Sequence, residues 1–299
     1  MTEKVLSGDN RQVIKTESKK GKFKPKPPVG GTPVYQKDNG TDYWYSKIKG
    51  GRDEFMYLHC DDITEADLKK IYREALSEWY PYVSHPQYDD FYKRALHEIY
   101  HGHSLCYHGH SLWISAYEPS WVAENHTEIQ FVSGKEPITN VKYWESIMDK
   151  YSPENGSRLM TIDTAFLLFM RWIKDGFCTM RQLTRGGMPE HVYNQGFELA
   201  KTGSSSFGGL YGFVGNTLKH VSEDPSVKYL FPKQRKAHYN PDTEWVSDCF
   251  VSIGMSYDLP GYMAQVGAMP YDRIYSYDRD SESFQYCLKR TSAFCELDV

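Results

Sequence analysis

The residues with the clearest chemical potential are His97, Glu98 and His101, in an H-E-x-x-H sequence. In a helix, histidines four positions apart lie on one face, where both imidazoles can bind zinc while the glutamate acts as a general base. A catalytic zinc needs a third protein ligand. The positions where the extended motif has glycine and histidine hold Ser104 and Tyr107 instead. The pattern therefore favours ordinary helical histidines over a catalytic or structural metal site, and we expect no cofactor.

The remaining motif searches identify no active site. Residues 203–215 are rich in glycine and serine, but they lack the Lys-Ser/Thr pair of a phosphate-binding loop and the glycine spacing of a dinucleotide site. The sequence has no Gly-x-Ser-x-Gly nucleophile turn. Its six cysteines include no Cys-x-x-Cys pair, which argues against a zinc ribbon or a thioredoxin-type motif. We therefore expect a protein that is not an enzyme, with a zinc-dependent hydrolase centred on His97 and His101 as an alternative.

The most unusual feature of the composition is its tyrosine content, with 24 Tyr against 14 Phe and 7 Trp. Tyrosine joins a large apolar ring to a polar hydroxyl and loses little side-chain entropy when it is fixed, so it is favoured at protein–protein interfaces. Runs of tyrosine in polar, turn-rich surroundings favour an interface, and a tyrosine-rich core is the alternative. The predicted interface residues are Tyr43, Trp44, Tyr45, Tyr271, Tyr275 and Tyr277.

Residues 1–40 differ in composition from the rest of the chain. Their lysines alternate with glycine, proline and serine, and such a segment cannot bury enough apolar surface to fold alone. We expect an extended basic arm that contacts other chains, with Lys22, Lys24 and Lys26 as the main candidates. The composition leaves three alternatives open: a disordered solubilising tail, a nuclear-import or nucleic-acid-binding arm, and an arm that becomes ordered on a neighbouring subunit.

From residue 61 onwards the spacing of apolar residues favours helices. Thr64 and Asp67 resemble a capping box at the start of the first one. Further helices are expected over residues 89–101, 144–151, 161–175 and 189–201. The segment 161–175 is apolar all round and should be the central buried helix, with Gly176 in C-cap position. Short strands are expected within residues 104–132, around a turn that contains Pro119.

These elements predict a mainly α fold class with minor β. One mainly helical domain is expected over residues 41–299, preceded by the arm of residues 1–40. Within the domain, residues 61–202 should form the helical core and residues 203–299 an irregular assembly region.

The net charge and the hydropathy of the chain limit which partners and compartments are expected. The net charge of −4 gives no argument for specific binding to nucleic acid or to an anionic membrane. No apolar stretch approaches the roughly twenty residues of a membrane span, and the N-terminus has no hydrophobic signal core. We expect residence in the cytosol or nucleus, where cysteines begin as thiols. Cys295 could then link to a neighbouring chain under oxidising conditions, with Cys287 as a second candidate; an unreactive thiol is the alternative.

The segment Glu118–Val122, with the sequence EPSWV, followed by Asn125, is similar to a stretch of baculovirus polyhedrin, the protein of viral occlusion bodies. The high tyrosine content and the lysine-rich segment also resemble that group. The length of the chain and its predicted helical middle depart from baculovirus polyhedrin. An occlusion-body protein of a neighbouring insect-virus family, such as the nudiviruses, is therefore the better match.

The resemblance implies a self-assembling viral structural protein without catalytic residues. Such a protein forms a dense crystal around virions in the host nucleus or cytoplasm, and the crystal dissolves in the alkaline insect gut. Its partners would be copies of itself and virions. The composition suits this role, because tyrosine and lysine lose protons at pH values near 10 and a nearly neutral lattice would then repel itself. Another virion or capsid component, whose basic arm contacts the genome, is the alternative.

Overall fold

A computed structural model of the chain describes residues 24–38, 41–59, 63–64, 66–67, 69–71, 73–74, 111–179, 198–203, 206–207, 210–212, 216–222, 249–254, 275–278 and 289–298. Among these residues strand is more frequent than helix, and the largest unit is a six-stranded sheet. The expectation of a mainly α fold class with minor β is therefore wrong: the described part of the chain is mainly β.

The strands are β1 (Thr32–Asp38), β2 (Thr41–Ile48), β3 (Asp53–Leu58), β4 (Leu112–Ser115), β5 (Ser120–Trp121), β6 (Ile129–Gln130), β7 (Arg158–Leu159), β8 (Ser206–Phe207), β9 (Leu210–Tyr211), β10 (Leu218–Val221), β11 (Cys249–Gly254), β12 (Tyr275–Asp278), β13 (Thr291–Ala293) and β14 (Cys295–Asp298). Two α-helices, α1 (Trp144–Tyr151) and α2 (Ile162–Lys174), and a 3-10 turn (Pro153–Asn155) complete the elements with defined bounds. Residues 66–67, 69–71 and 73–74 are also helical.

The six-stranded sheet has the strand order β1-β2-β3-β4-β14-β7, and every neighbouring pair in it is antiparallel. Its first three strands follow one another in sequence. The aromatic and apolar residues of β2 and β3 have high strand propensity. Between them, Lys49, Gly50 and Gly51 adopt positive φ angles of 53°, 70° and 91°, a conformation that glycine adopts without steric cost. The turn between β2 and β3 therefore depends on its two glycines.

A four-stranded sheet has the order β12-β11-β10-β13, in which only β10 and β13 are parallel. β5 pairs with β6 and β8 with β9 in two short hairpins. The chain passes from β13 of this sheet to β14 of the six-stranded sheet through Phe294 alone. The sequence pattern assigned residues 203–299 to an irregular region, but its described residues supply strands to both sheets.

The core of the six-stranded sheet is aromatic. Phe55, Trp113, Phe131 and Trp144 are all fully buried and belong to one cluster. The rings of Phe55 and Phe131 meet edge to face with centroids 5.4 Å apart, a preferred arrangement for aromatic pairs. Helix α1 covers this cluster with Trp144, Met148 and Tyr151.

The helices that the structure describes agree with the sequence pattern. Helix α2 begins after Thr161, whose hydroxyl accepts a hydrogen bond from the Thr164 amide, and Gly176 follows its end with a φ of 79°. The predicted capping box is confirmed, since Thr64 and Asp67 exchange backbone-to-side-chain hydrogen bonds of 2.9 and 3.2 Å. The helix predicted over residues 89–101 lies outside the described residues. Of the helix predicted over 189–201, residues 198–201 are described and are not helical.

Candidate functional site

The described part of the predicted basic arm lies against its own chain. The indole Nε1 of Trp113 donates a hydrogen bond of 3.1 Å to the carbonyl of Lys26, and the amide of Val29 donates one of 2.6 Å to Oδ1 of Asn155. Lys24 and Lys26 keep their side chains exposed. Residues 32–38 form β1, so the boundary at residue 40 places part of the sheet in the arm. Lys22 lies outside the described residues.

The run Tyr43-Trp44-Tyr45 is part of β2, where successive side chains point to opposite faces of the sheet. Tyr43 is buried, and Trp44 and Tyr45 are half-buried. The ring of Trp44 packs on that of Tyr35 in β1 with centroids 5.3 Å apart. The structure therefore places Tyr43 in the core, the alternative that the sequence pattern left open, and leaves Trp44 and Tyr45 in part accessible.

The second tyrosine run lies partly in β12, which is an outer strand of the four-stranded sheet among the residues that the structure describes. Tyr275 is in register with Ser252 and Tyr277 with Phe250 of β11. Tyr271 lies outside the described residues. An edge strand presents backbone groups that can pair with another chain, and a role of Tyr275 and Tyr277 in assembly stays a prediction.

The structure does not place Cys295 where a neighbouring chain could reach it. Its side chain is fully buried in β14 as a free thiol, and burial, followed by the charge of Glu296, raises its pKa well above the usual range. Cys178 is also a buried free thiol, with its pKa raised by burial to about 12. A thiolate is needed for disulfide exchange. The predicted link at Cys295 would therefore require local unfolding, and Cys287 lies outside the described residues.

His97, Glu98 and His101 lie outside the described residues, so the choice between helical histidines and a metal site stays a prediction. Within the part of the chain that the structure describes, no group of three or more His, Cys, Asp and Glu side chains is placed to hold a metal ion. Among the same residues, no helix combines the length and the apolar character that crossing a membrane requires.

A first buried polar cluster surrounds Asp53 at the start of β3; we call it the Asp53 centre. Its carboxylate is fully buried. Tyr151 donates its hydroxyl to Oδ2 at 2.5 Å, the Phe131 amide donates to Oδ1 at 3.1 Å, and Nε of Arg52 lies 3.0 Å from Oδ1. Because Tyr151 is 98 residues away in sequence, the centre fixes the end of α1 to the sheet.

The Asp53 centre changes how readily its groups ionise. Burial raises the pKa of Tyr151 above its usual range, and the neighbouring charge of Asp53 and the hydrogen bond to it raise it further. Partial burial lowers the pKa of Arg52, but hydrogen bonds and charges from Asp53 and Glu128 outweigh this and raise it overall. Outside this centre, burial also raises the pKa of Tyr117. The folded chain therefore holds these phenols in their neutral form.

A second buried cluster surrounds Glu118, which follows β4; we call it the Glu118 centre. Its Oε2 accepts a hydrogen bond of 2.7 Å from Nδ2 of Asn216, and its Oε1 accepts one of 2.5 Å from the Thr217 hydroxyl. Nζ of Lys219 lies 3.0 Å from Oε1. All four residues are fully buried. A Cβ at Gly212, where φ is +75°, would lie 2.6 Å from Oε2, so the site needs glycine there.

Lys219 is the least expected member of the Glu118 centre. Burial lowers the pKa of its ammonium group, and the charge and hydrogen bond of Glu118 act in the opposite direction. Glu118 was singled out from the sequence only as the first residue of the EPSWV segment, and Asn216 and Lys219 were not singled out at all. Lysine is rarely buried without a partner, and no local pattern in residues 216–219 indicates the distant carboxylate that balances it.

Comparison of the chain with protein-family models, with curated proteins and with solved structures finds no match. The candidate function therefore has to be inferred from the residues of this chain. The two buried carboxylate centres and the tyrosines near them are the features of the described structure that bear on it most directly.

Proposed function

We propose that the chain is a self-assembling viral structural protein, not an enzyme, which forms a dense crystalline occlusion body around virions. Its partners are copies of itself and virions, and the crystals form in the nucleus or cytoplasm of the host cell. Alkaline pH dissolves them. The observation that carries the proposal is the buried phenol of Tyr151, which donates a hydrogen bond to the buried carboxylate of Asp53.

This arrangement makes the fold itself sensitive to alkali. Tyrosine in an unfolded chain loses its proton near pH 10, whereas Tyr151 keeps its proton to higher pH in the folded chain because its pKa is raised. Above about pH 10 the unfolded chain therefore binds fewer protons than the folded chain, and the free energy of unfolding falls as the pH rises. Tyr117, whose pKa is also raised, contributes with the same sign.

Buried thiols extend the same effect to lower pH. An unfolded cysteine loses its proton near pH 8.5, while burial raises the pKa of Cys178 to about 12 and that of Cys295 well above the usual range. Their contribution to stability begins to fall above about pH 8.5. A chain with these groups in its core is suited to a container that must open in alkali.

Expression of the full chain alone in insect cells tests the proposal. We expect large crystalline particles that contain no nucleic acid, stay intact at neutral pH and dissolve above about pH 10, where tyrosines ionise. Co-purification of nucleic acid with small particles would favour the capsid alternative. A soluble monomer at high concentration, or particles that dissolve at neutral pH, would contradict the proposal.

Two truncations test the role of the N-terminal segment. Deletion of residues 1–23 leaves the contacts of Lys26 with Trp113 and of Val29 with Asn155 in place, so we expect a folded chain that assembles poorly. Deletion of residues 1–30 removes those contacts as well and should also lower the thermal stability of the domain. Normal particles from the shorter deletion would show that the basic residues before Lys24 have no part in assembly.

A further inference from the structure

We propose that Asn216 and Lys219 become joined by an intramolecular isopeptide bond, with Glu118 transferring the protons. The bond would link Nζ of Lys219 to Cγ of Asn216 and release ammonia. This inference concerns a covalent modification of the folded chain and does not depend on the assembly proposed above.

The reacting groups meet on one carboxylate. Glu118 lies 3.0 Å from the nitrogen that would attack, Nζ of Lys219, and 2.7 Å from the nitrogen that would leave, Nδ2 of Asn216. The lysine side chain also turns back along its own strand, because its Nζ donates hydrogen bonds to the carbonyl and the hydroxyl of Thr217 at 2.5 and 2.8 Å. Its amine is thereby held at Thr217, the residue that follows Asn216 in sequence. Holding reactants together in this way can replace much of the entropy cost of a bimolecular reaction.

The carboxamide of Asn216 is positioned as the electrophile. The backbone amide of Ala200 donates a hydrogen bond of 3.0 Å to its Oδ1, where negative charge would develop when the amine attacks. A fixed N–H donor at such an oxygen stabilises the transition state of acyl transfer. The carbonyl of Ala200 accepts from Nδ2 at 3.1 Å, so both ends of the amide are oriented by the same residue.

The electrostatics favour a reactive amine. A lysine must be neutral to act as a nucleophile, and burial lowers the pKa of Lys219. Glu118, Asn216, Thr217 and Lys219 are all fully buried, so competing water is excluded. Among the described residues, Nζ also contacts Thr217 and the ring of Phe294, whose centroid lies 5.9 Å away.

The reaction balances within the cluster. Nζ of Lys219 first gives a proton to the carboxylate of Glu118 and then attacks Cγ of Asn216. The bond from Cγ to Nδ2 breaks as Glu118 donates a proton to Nδ2 and takes the second proton from Nζ, and ammonia leaves. The products are a neutral amide and a neutral carboxyl group at Glu118. A buried ion pair, which is costly to desolvate, is replaced by two neutral groups that can hydrogen-bond to each other.

Mass spectrometry of the purified full-length chain tests the inference. We expect an intact mass that is one ammonia lower than the sequence requires. After denaturation, trypsin should fail to cut after Lys219, because an acylated lysine has no charge, and fragmentation should locate the link between residues 216 and 219. An unmodified intact mass together with normal cleavage after Lys219 would overturn the proposal.

Variants separate this bond from other losses of ammonia. Glu118→Gln removes the proton-transfer group and should restore the full mass. Asn155→Ala is the matched control, because Asn155 is also buried but bonds to Val29 and Ser152. In addition, Asn155 is followed by Gly156, and an asparagine before glycine can lose ammonia by cyclising. The control should leave the loss unchanged, and restoration of the full mass by Asn155→Ala would overturn the proposal. If Glu118→Gln does not fold, the peptide map of the original chain still decides whether residues 216 and 219 are linked.

Discussion

The Asp53 and Glu118 centres are both buried carboxylates, but they are balanced in different ways. Asp53 is held by a phenol, a backbone amide and Arg52, and the arginine side chain remains 28% exposed. Glu118 is balanced by Lys219, and both of these side chains are 0% exposed. A cation that reaches solvent keeps most of its hydration free energy. In a fully buried pair, the attraction between the two ions has to offset the desolvation of both. The Glu118 centre should therefore depend far more on its cation than the Asp53 centre does.

The two centres also respond to alkali with opposite sign. Tyr151 has a raised pKa, so the Asp53 centre loses stability as the pH rises above about 10, where unfolded tyrosine ionises. In a chain that has not formed the bond between Asn216 and Lys219, Lys219 has a lowered pKa. It then loses its proton at lower pH in the folded chain than in the unfolded chain, and stability rises over that interval. Deprotonation of this lysine therefore does not lower the stability in alkali, whereas ionisation of Tyr151 and of the buried thiols on unfolding does.

The largest expected effect is at the Glu118 centre. Lys219→Met leaves a buried carboxylate without its cation and should lower the free energy of unfolding by about 3–5 kcal/mol. The double variant Glu118→Gln with Lys219→Met should recover most of this loss, since no buried charge then remains. Urea denaturation of freshly refolded protein that has not lost ammonia measures both values. A single variant as stable as the original chain would contradict the dependence of this centre on its cation.

A smaller loss is expected when the charge of the Asp53 centre is removed. Asp53→Asn keeps the shape of the side chain but weakens the hydrogen bonds from Tyr151 and Phe131, which should cost about 2 kcal/mol. Asp298→Asn is a matched control, because Asp298 also pairs with an arginine, at 2.6 Å, but its side chain is 53% exposed. Equal losses for the two variants, measured by thermal unfolding, would show that burial does not distinguish them.

The phenol of Tyr151 has a smaller effect at neutral pH and a diagnostic one in alkali. Tyr151→Phe should cost about 1 kcal/mol at pH 7, because one hydrogen bond to Asp53 is lost. Above about pH 10 the variant should lose stability less steeply than the original chain, since it has one tyrosine fewer to ionise on unfolding. Urea denaturation across this pH range measures the slopes. Tyr45→Phe, at a half-buried tyrosine of the same domain, controls for the general loss of a hydroxyl. If stability falls with pH as steeply in Tyr151→Phe as in the original chain, Tyr151 is not a source of the alkaline sensitivity.

The smallest effect is expected for the cation of the Asp53 centre. Arg52→Gln removes the same charge that Lys219→Met removes from the other centre, but solvent screens the arginine and two neutral donors still hold Asp53. The cost should be at most about 1 kcal/mol. Calorimetry of the two single-cation variants under one set of conditions gives the direct comparison. A loss at Arg52 as large as that at Lys219 would remove the distinction between the centres.

The sequence pattern predicted local structure better than the fold. Helices α1 and α2 were found because their apolar residues recur with helical spacing, and Thr161 and Gly176 mark the ends of α2. The fold class was wrong because many strands of the described chain are short, and several of these, such as β4, β7, β13 and β14, pair with strands far away in sequence. β10 contains a lysine and a histidine that are both buried, so its composition resembles a surface segment. Residues 295–298 likewise resemble a polar tail, although β14 lies inside the six-stranded sheet.

One overlooked signal could have corrected the N-terminal boundary. Asn39 and Gly40 form the dipeptide most typical of a two-residue hairpin turn, and they separate two segments rich in β-formers that the structure pairs as β1 and β2. The Glu118 centre has no comparable signal. Its residues become neighbours only in the folded chain, where Asn216, Thr217 and Lys219 contact the carboxylate of Glu118. Asn216 and Glu118 are 98 residues apart in sequence.

The passage of the chain from β13 to β14 has a consequence for the rate of folding. Cys295 donates its amide to the Ser115 hydroxyl across 180 residues of sequence, and β14 must insert between β4 and β7 to complete the six-stranded sheet. Contacts at such separation close large loops before they contribute stability, so folding should take milliseconds to seconds or longer. Until β14 is in place, β4 and β7 lack the strand that joins them, and unpaired strand edges favour aggregation. The docking of this strand should therefore set the time at which a newly made chain reaches a single folded state.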